Sequence, residues 1–172
     1  MAEIISAGNV RIRGKRDNLI HFLQHELVSV FELENKQVEE RPIQIRVENQ
    51  GWTVVLRRNP ETSQRVYLSG SDRYWFDMPD IDTEIELSNK TNTKDDQVIC
   101  LAEYEGPWSP NYEFLQQKAV ENKVDIRIFT WDKGVWSSVS TFYRNGDIEE
   151  TTRKYEDFLW DCPVPECYDG CC

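Results

Sequence analysis

Apolar side chains near the start of the chain first alternate with polar ones and then recur at helical spacing. Val10 and Ile12 alternate with polar neighbours across residues 8–14, so this segment is predicted to form a short strand. Across residues 15–31 the apolar positions fall three or four apart, which predicts a helix with one apolar stripe. The stripe comprises Leu19, Phe22, Leu23, Leu27 and Val30.

A hairpin is predicted after Pro42, whose ring is incompatible with the interior of a helix. Alternating apolar and polar runs lie on both sides of residues 49–51, and the Asn-Gln-Gly sequence between them is typical of a tight turn. The Asn59-Pro60 step ends this pattern. Residues 65–70 then form a further predicted strand.

The second half of the chain repeats the order of the first. Residues 97–106 form a predicted strand with an apolar start, and residues 111–122 form a predicted helix. The side chains expected to be buried on that helix are Phe114, Leu115 and Ala119. The chain therefore contains two strand–helix units separated by a less regular region.

Three more strands are predicted after the second helix. Residues 124–131 and 135–143 alternate in the manner of strands, with a turn between them. The Asn145-Gly146 dipeptide is a strong hairpin signal and predicts a last strand over residues 148–155. The element order predicts an α+β fold, specifically a ferredoxin-like antiparallel sheet with two helices on one face.

The chain is predicted to be a single domain with two distinctive segments. With 172 residues it is long enough for one hydrophobic core, and it has no linker rich in Pro, Gly or Ser. Residues 71–96 are interpreted as an acidic insertion, and residues 156–172 as an acidic tail rich in cysteine.

A regular row of carboxylates is the sharpest local pattern in the chain. If residues 80–87 form a strand, their acidic side chains share one face, and Ile81, Ile85 and Leu87 anchor the other. The row comprises Asp80, Asp82, Glu84 and Glu86. Such a row resembles a phosphate backbone in charge and spacing, so it would suit a groove lined with Lys and Arg. The alternative is an edge strand whose charges prevent aggregation.

The net charge of −11 is concentrated in two segments. Residues 71–105 carry −7 and residues 147–172 carry −6, whereas the two remaining segments carry +1 each. A strongly acidic surface repels nucleic acid and anionic membranes, so we expect neither direct nucleic-acid binding nor membrane binding. The alternative is that the acidity only keeps the protein soluble.

Several residues near these acidic segments are candidates for partner binding. Large aromatic side chains beside charge are typical interface anchors, although ordinary core packing is the alternative for them. The second acidic segment would extend the same surface or form a solvated tail. The candidate partner-binding residues are Tyr74, Trp75, Phe76, Asp77, Asp80, Asp82, Glu84, Glu86, Glu149, Glu150 and Asp157.

Part of the chain resembles a ferredoxin-like family of phage and conjugative-plasmid proteins of unknown function. Residues 102–150 are similar to the C-terminal half of that family, and the matching positions are Trp108, Pro110, Trp131 and Asn145-Gly146. Residues 8–23 are similar to its first strand and helix, whereas residues 71–96 have no counterpart. The resemblance implies a mobile-element protein, and such small acidic proteins include anti-CRISPR inhibitors. Its motifs are structural and imply no catalytic residues.

No cofactor or metal is expected. His21 and His25 have the spacing of a metal-binding helix face but lack a companion Glu, so we predict solvated histidines. Cys100 is predicted to be a buried thiol in an apolar strand. The other cysteines, Cys162, Cys167, Cys171 and Cys172, lack the CxxC pairs of a zinc site and are expected to be free thiols.

These features predict a non-enzymatic inhibitor that acts in the cytoplasm of the host cell. Its partner would be a basic nucleic-acid-processing protein, such as a CRISPR-Cas nuclease or its guide complex. No apolar run is long enough for a membrane helix, and residues 1–14 lack the apolar core of a signal peptide. Two alternatives remain: a small enzyme that uses carboxylate chemistry, and an antitoxin-like protein that binds a basic sibling.

Overall fold

The computed structural model describes residues 5–71, 73–89, 94–107, 110–132 and 136–154. Within these ranges the chain forms two helices and twelve strands. The helices are α1 (Arg16–Glu26) and α2 (Tyr112–Asn122). The strands are β1 (Ile5–Gly14), β2 (Leu27–Glu32), β3 (Val38–Pro42), β4 (Gln44–Glu48), β5 (Thr53–Arg57), β6 (Arg65–Leu68), β7 (Trp75–Asp77), β8 (Asp82–Glu86), β9 (Gln97–Pro107), β10 (Asp125–Asp132), β11 (Trp136–Phe142) and β12 (Ile148–Lys154).

Nine strands form one large sheet in the order β12-β11-β10-β1-β9-β7-β6-β2-β3. All of its pairs are antiparallel. Strands β9 and β10 therefore run parallel to each other on either side of β1, with α2 as the crossover between them. Because direction alternates from strand to strand across the sheet, β2 also runs parallel to β1, and α1 is the crossover between them. Both halves of the chain thus contain a split β-α-β unit.

Both helices pack on one face of the large sheet. Cross-strand register places Val10 beside Ile128 and Leu101, and Ile12 beside Ile126 and Ile99, so these apolar side chains share a face. The helices contribute Leu19, Phe22, Leu23, Leu115 and Ala119 to the same buried core. Asn111 begins α2 by accepting a hydrogen bond from the Phe114 N–H at 3.1 Å, which satisfies one free donor of the first turn.

The other three strands form a small sheet in the order β4-β5-β8. Its inner face carries Val54, Leu56 and Ile85, which belong to the same core as the large sheet and α1. The outer face carries the alternate, mostly charged residues. Strand β8 is an outer strand of this sheet, since its ladder partner is β5.

The α+β prediction is confirmed, and most predicted elements are present. The hairpin at 44–57, the strands at 65–70 and 97–106, the second helix and the Asn145-Gly146 hairpin all appear with small shifts in their ends. Two sequence predictions were wrong. The first helix ends at Glu26, because the β-branched Val28 and Val30 belong to strand β2. Strand β3 was missed, since Pro42 is tolerated at the end of an edge strand.

Residues 71–96 contribute to both sheets. Strand β7 lies inside the large sheet, between β9 and β6, and β8 completes the small sheet. The predicted tail at 156–172 lies outside the described residues. Neither described helix is long and apolar enough to cross a membrane.

Candidate functional site

The predicted carboxylate row forms part of strand β8. Asp82, Glu84 and Glu86 are exposed, whereas Ile85 is buried, so the predicted alternation is confirmed within the strand. Asp80 is also exposed but precedes the strand, in the segment that links β7 to β8. Strand β8 therefore carries three carboxylates of the row, and the fourth lies just before the strand.

Arginines from the neighbouring strands reduce the negative charge of this face. Arg57 lies directly opposite Asp82, and its Nε is 3.7 Å from the Asp82 carboxylate. On β4, Arg46 pairs with Glu48 at 2.5 Å, and its pKa is raised by that hydrogen bond, with smaller contributions from Asp82 and Glu84. The sheet face is thus a mosaic of both signs. It is less like an uninterrupted phosphate backbone than the isolated sequence of β8 suggests.

Every second residue of β8 directs its backbone N–H and C=O groups away from β5. The Arg58 N–H donates to the Ile81 carbonyl and the Leu87 N–H donates to the Trp52 carbonyl, so odd-numbered residues face β5. The peptide groups of Glu84 and its even-numbered neighbours consequently point to the opposite edge. At that edge, Ser88 forms a single bridge with Val98 of β9. Among the described residues, β8 and β9 share no further backbone pairing and separate from this bridge.

A cavity of about 290 Å³ opens where β8 and β9 separate. Residues from both faces of β8 line it, which places it along the strand's free edge. Its floor is made of the buried side chains Leu27, Leu56, Phe76, Met78, Ile85 and Leu101. Its mouth carries three exposed carboxylates, Asp77, Asp80 and Glu84. The cavity therefore combines an apolar interior with an anionic entrance.

A buried arginine holds the segment that carries two of these carboxylates. Arg58 is only 8% exposed. Its Nε donates to the Met78 carbonyl at 2.7 Å, and its Nη2 donates to the Pro79 carbonyl at 3.0 Å. Hydrogen bonds from a charged donor are stronger than neutral ones, so Arg58 fixes the backbone between Asp77 and Asp80.

The three predicted aromatic anchors lie in different environments. Tyr74 is buried, its hydroxyl oxygen accepts a hydrogen bond from the Asn111 N–H at 2.6 Å, and its ring stacks on Phe114. Trp75 is 8% exposed and lies beneath Arg65. Phe76 contributes to the cavity wall. Burial favours a packing role for Tyr74, while Phe76 reaches the candidate site.

The second acidic segment lies on a different part of the sheet. Strand β12 is four strand positions from β9, which corresponds to about 19 Å at roughly 4.8 Å per strand. Glu149 accepts a hydrogen bond from the Tyr143 hydroxyl at 2.8 Å, and Glu150 accepts one from Tyr112. Glu149 and Glu150 are thus engaged by tyrosines away from the cavity. Asp157 lies outside the described residues.

The Tyr112–Glu150 bond predicts a shifted tyrosine titration. The hydrogen bond to Glu150, with help from burial, raises the pKa of Tyr112 to about 12. Only the neutral phenol donates this bond, so its stabilisation is complete below the ordinary pKa of 10 and is lost as the pH rises through about 12. Glu150→Gln should return the titration of Tyr112 towards 10. The measurement is the tyrosinate absorbance difference between matched proteins with and without Tyr112→Phe.

Glu149→Gln is the control for this titration. It removes the partner of Tyr143, whose pKa is also raised by its hydrogen bond to a glutamate, and should leave Tyr112 unchanged. An unchanged Tyr112 titration in the Glu150→Gln protein would contradict the assignment.

The cysteine and histidine predictions have mixed outcomes. Cys100 is half-buried and lines the cavity, and burial raises the pKa of its thiol. His21 and His25 are exposed as predicted, with stacked rings 4.1 Å apart. Within the described ranges, no group of three or more His, Cys, Asp or Glu side chains is arranged to hold a metal ion. The four C-terminal cysteines lie outside those ranges.

Sequence reasoning missed the residues that give the site its shape. Arg46, Arg57 and Arg58 modify the charge or position of the carboxylates, yet they are distant from them in sequence. The one sequence signal for these residues was the alternation in residues 53–57, which indicated that an arginine would share a sheet face with β8. In comparisons with protein-family models, curated proteins and solved structures, no significant match to the chain was found.

Proposed function

We propose that this protein is a non-enzymatic inhibitor from a mobile element that binds a basic, nucleic-acid-processing host protein. A CRISPR-Cas nuclease is the favoured partner class, following the family resemblance of the sequence. The observation that supports this most is the anionic mouth of Asp77, Asp80 and Glu84 around an apolar cavity. It lies in the segment of the chain that carries a net charge of −7.

The inhibitor would act by occupying a surface that otherwise binds nucleic acid. Such surfaces are rich in Lys and Arg, and an acidic partner is attracted to them at long range. The arginines beside β8 interrupt its negative charge, since Arg57 pairs with Asp82 and Arg46 interacts with the charge of Glu84. The proposed contact is therefore a compact anionic patch with an apolar centre, rather than an extended copy of a phosphate backbone.

A ferredoxin-like scaffold is also part of the proposal. The arrangement of β10, β1 and β9, with α2 as crossover and both helices on one face, supports this relationship. In this interpretation β6 and β7 lie between the third and second core strands. Residues 71–96 then form the acidic addition that adapts a common scaffold to one partner.

Affinity capture from host lysate tests the proposed function. The full chain, immobilised through its N-terminus, should retain a basic nucleic-acid-binding protein at low salt and release it at high salt, because screened ionic contacts weaken together. A variant carrying Asp80→Asn and Glu84→Gln should retain much less of it. Loss of the partner's activity upon addition of the protein is the required second result. Retention without inhibition, or no salt-sensitive retention, would contradict the proposal.

A further inference from the structure

We infer that the cavity between β8 and β9 takes one apolar side chain from a partner segment in which that residue is flanked by Lys or Arg. The inference rests on the proposed function, since it specifies what the basic partner presents. It names an anchor residue with cationic neighbours, which a purely electrostatic contact would not require.

The position of the charges excludes a cation at the bottom of the cavity. The floor consists of aliphatic and aromatic side chains with exposed fractions of 1% for Leu27 and 6% for Ile85. An ammonium or guanidinium group inserted head first would lose its hydration there without a carboxylate partner. The floor therefore suits an apolar tip, which gains free energy from leaving water.

The mouth requires the opposite chemistry. Asp77, Asp80 and Glu84 are exposed and come from the end of β7, the following loop and the middle of β8. They come from two strands and the loop between them, so cationic neighbours of the inserted side chain would meet acidic residues of the cavity lining. Charge complementarity thus selects Lys or Arg at the flanking positions.

The free edge of β8 adds a backbone component to this recognition. The peptide groups of Glu84 and its even-numbered neighbours point towards the edge that faces the cavity. An extended partner segment can pair with such an edge while its side chains alternate between the cavity and the solvent. The volume of about 290 Å³ lies just below the range of roughly 300–1,000 Å³ that encloses drug-sized ligands, so the cavity has room for a large side chain.

A peptide series tests the inference directly. Short labelled peptides of the form Lys-Arg-X-Lys-Arg are titrated against the full-length protein, with X as Leu, Phe or Ser. Burial of a Leu or Phe side chain should make those two peptides bind roughly tenfold more tightly than the Ser peptide. Equal affinity for all three would overturn the inference. Replacement of the flanking cations by Gln in the Leu peptide should also weaken binding, and unchanged affinity would overturn it as well.

Two variants assign the peptide effect to the cavity. Thr83→Phe places a large ring on a residue that lines the cavity, so it should remove the preference for Leu over Ser. Thr53→Phe makes the same change on the opposite face of β5, at a residue outside the cavity lining, and should leave the preference intact. A preference that survives Thr83→Phe would overturn the inference, provided thermal unfolding shows that both variants are folded.

The outcomes separate this inference from the proposed function. If a basic partner is captured and inhibited but the peptides show no anchor preference, the proposed function stands and the inference fails. If the anchor peptides bind but the captured partner is not inhibited, the recognition stands and the inhibitory function fails. If a free apolar amine binds the cavity as tightly as the Leu peptide does, the cavity is a small-molecule site. That result would overturn the peptide assignment.

Discussion

Replacing Asp80 and Glu84 together with lysine should reduce affinity for the captured partner on the order of 100-fold, which corresponds to about 2.7 kcal/mol. Both carboxylates lie at the cavity mouth, and neither forms an ion pair with a described arginine or lysine. Reversal removes two attractive contacts and creates two repulsive ones at the centre of the proposed interface. Like charges juxtaposed in an interface cost several kcal/mol, so the estimate is a conservative one.

The matched control reverses Asp82 and Glu86 on the same strand. It changes the net charge by the same amount, but neither residue lines the cavity, and Asp82 already pairs with Arg57. We expect this variant to lose less than about tenfold in affinity, mostly through slower association. Equal losses in both variants would indicate that only overall charge matters. No loss in either would remove β8 from the interface.

Arg144→Met should destabilise the fold by about 3 kcal/mol, the lower end of the range for removing one partner from a buried ion pair, because the Arg144 side chain is itself 30% exposed. Arg144 lies in the β11–β12 turn and donates to both Asp96 and Asp125 at 3.0 Å. Arg13 at the end of β1 also binds Asp125, at 2.9 Å. The carboxylate side chains are only 4% and 9% exposed. This ion-pair cluster, which comprises Arg13, Asp96, Asp125 and Arg144, therefore holds the β11–β12 turn against β1, β10 and the residues just before β9.

Urea denaturation of matched variants measures this effect. Arg41→Met is the control, because Arg41 pairs with Glu39 at the surface, with both side chains about half exposed, and should lose less than about 1 kcal/mol. Adding Asp96→Asn and Asp125→Asn to Arg144→Met should restore part of the stability, since buried charge is then removed. Equal losses for Arg144→Met and Arg41→Met would contradict a structural role for the cluster.

The same cluster predicts how stability depends on pH. Burial alone would raise the pKa of Asp125, but hydrogen bonds from Arg144 and Arg13 outweigh it and lower that pKa below its ordinary value of 3.8. A lowered pKa in the folded state contributes stability above the unfolded pKa, and this contribution is lost as the pH falls through the folded value. Wild-type protein should therefore lose more stability below pH 4 than Arg144→Met does.

The local periodicity of the chain predicted most of the elements, because strand and helix spacing depend on neighbouring residues. The boundary at Glu26 shows where this fails. Leu27 and Val30 continue the helical stripe of Leu19 and Leu23, yet both residues belong to strand β2. Pairing with Leu68 and Tyr67 of β6 selects the strand, and this tertiary contact is not visible in the local sequence.

The candidate site was predicted only in part for a similar reason. Alternation along β8 predicted that Glu84 lies on the exposed face, but it did not predict which strands lie beside β8. The pairing of Arg57 with Asp82 joins residues 25 positions apart, and the cavity combines side chains from β2, β5, β8 and β9. Long-range register of this kind depends on the whole fold. The acidic composition therefore located the right segment, whereas the apolar cavity within it could be found only from the structure.

Competition with nucleic acid tests most directly whether the acidic mouth occupies the nucleic-acid site of a basic partner. The affinity of the full-length protein for the captured partner is determined at increasing concentrations of the nucleic acid that the partner binds. We expect the apparent Kd to rise in proportion to the nucleic-acid concentration once that site begins to fill. An apparent Kd that stays constant while nucleic acid saturates the partner would contradict it.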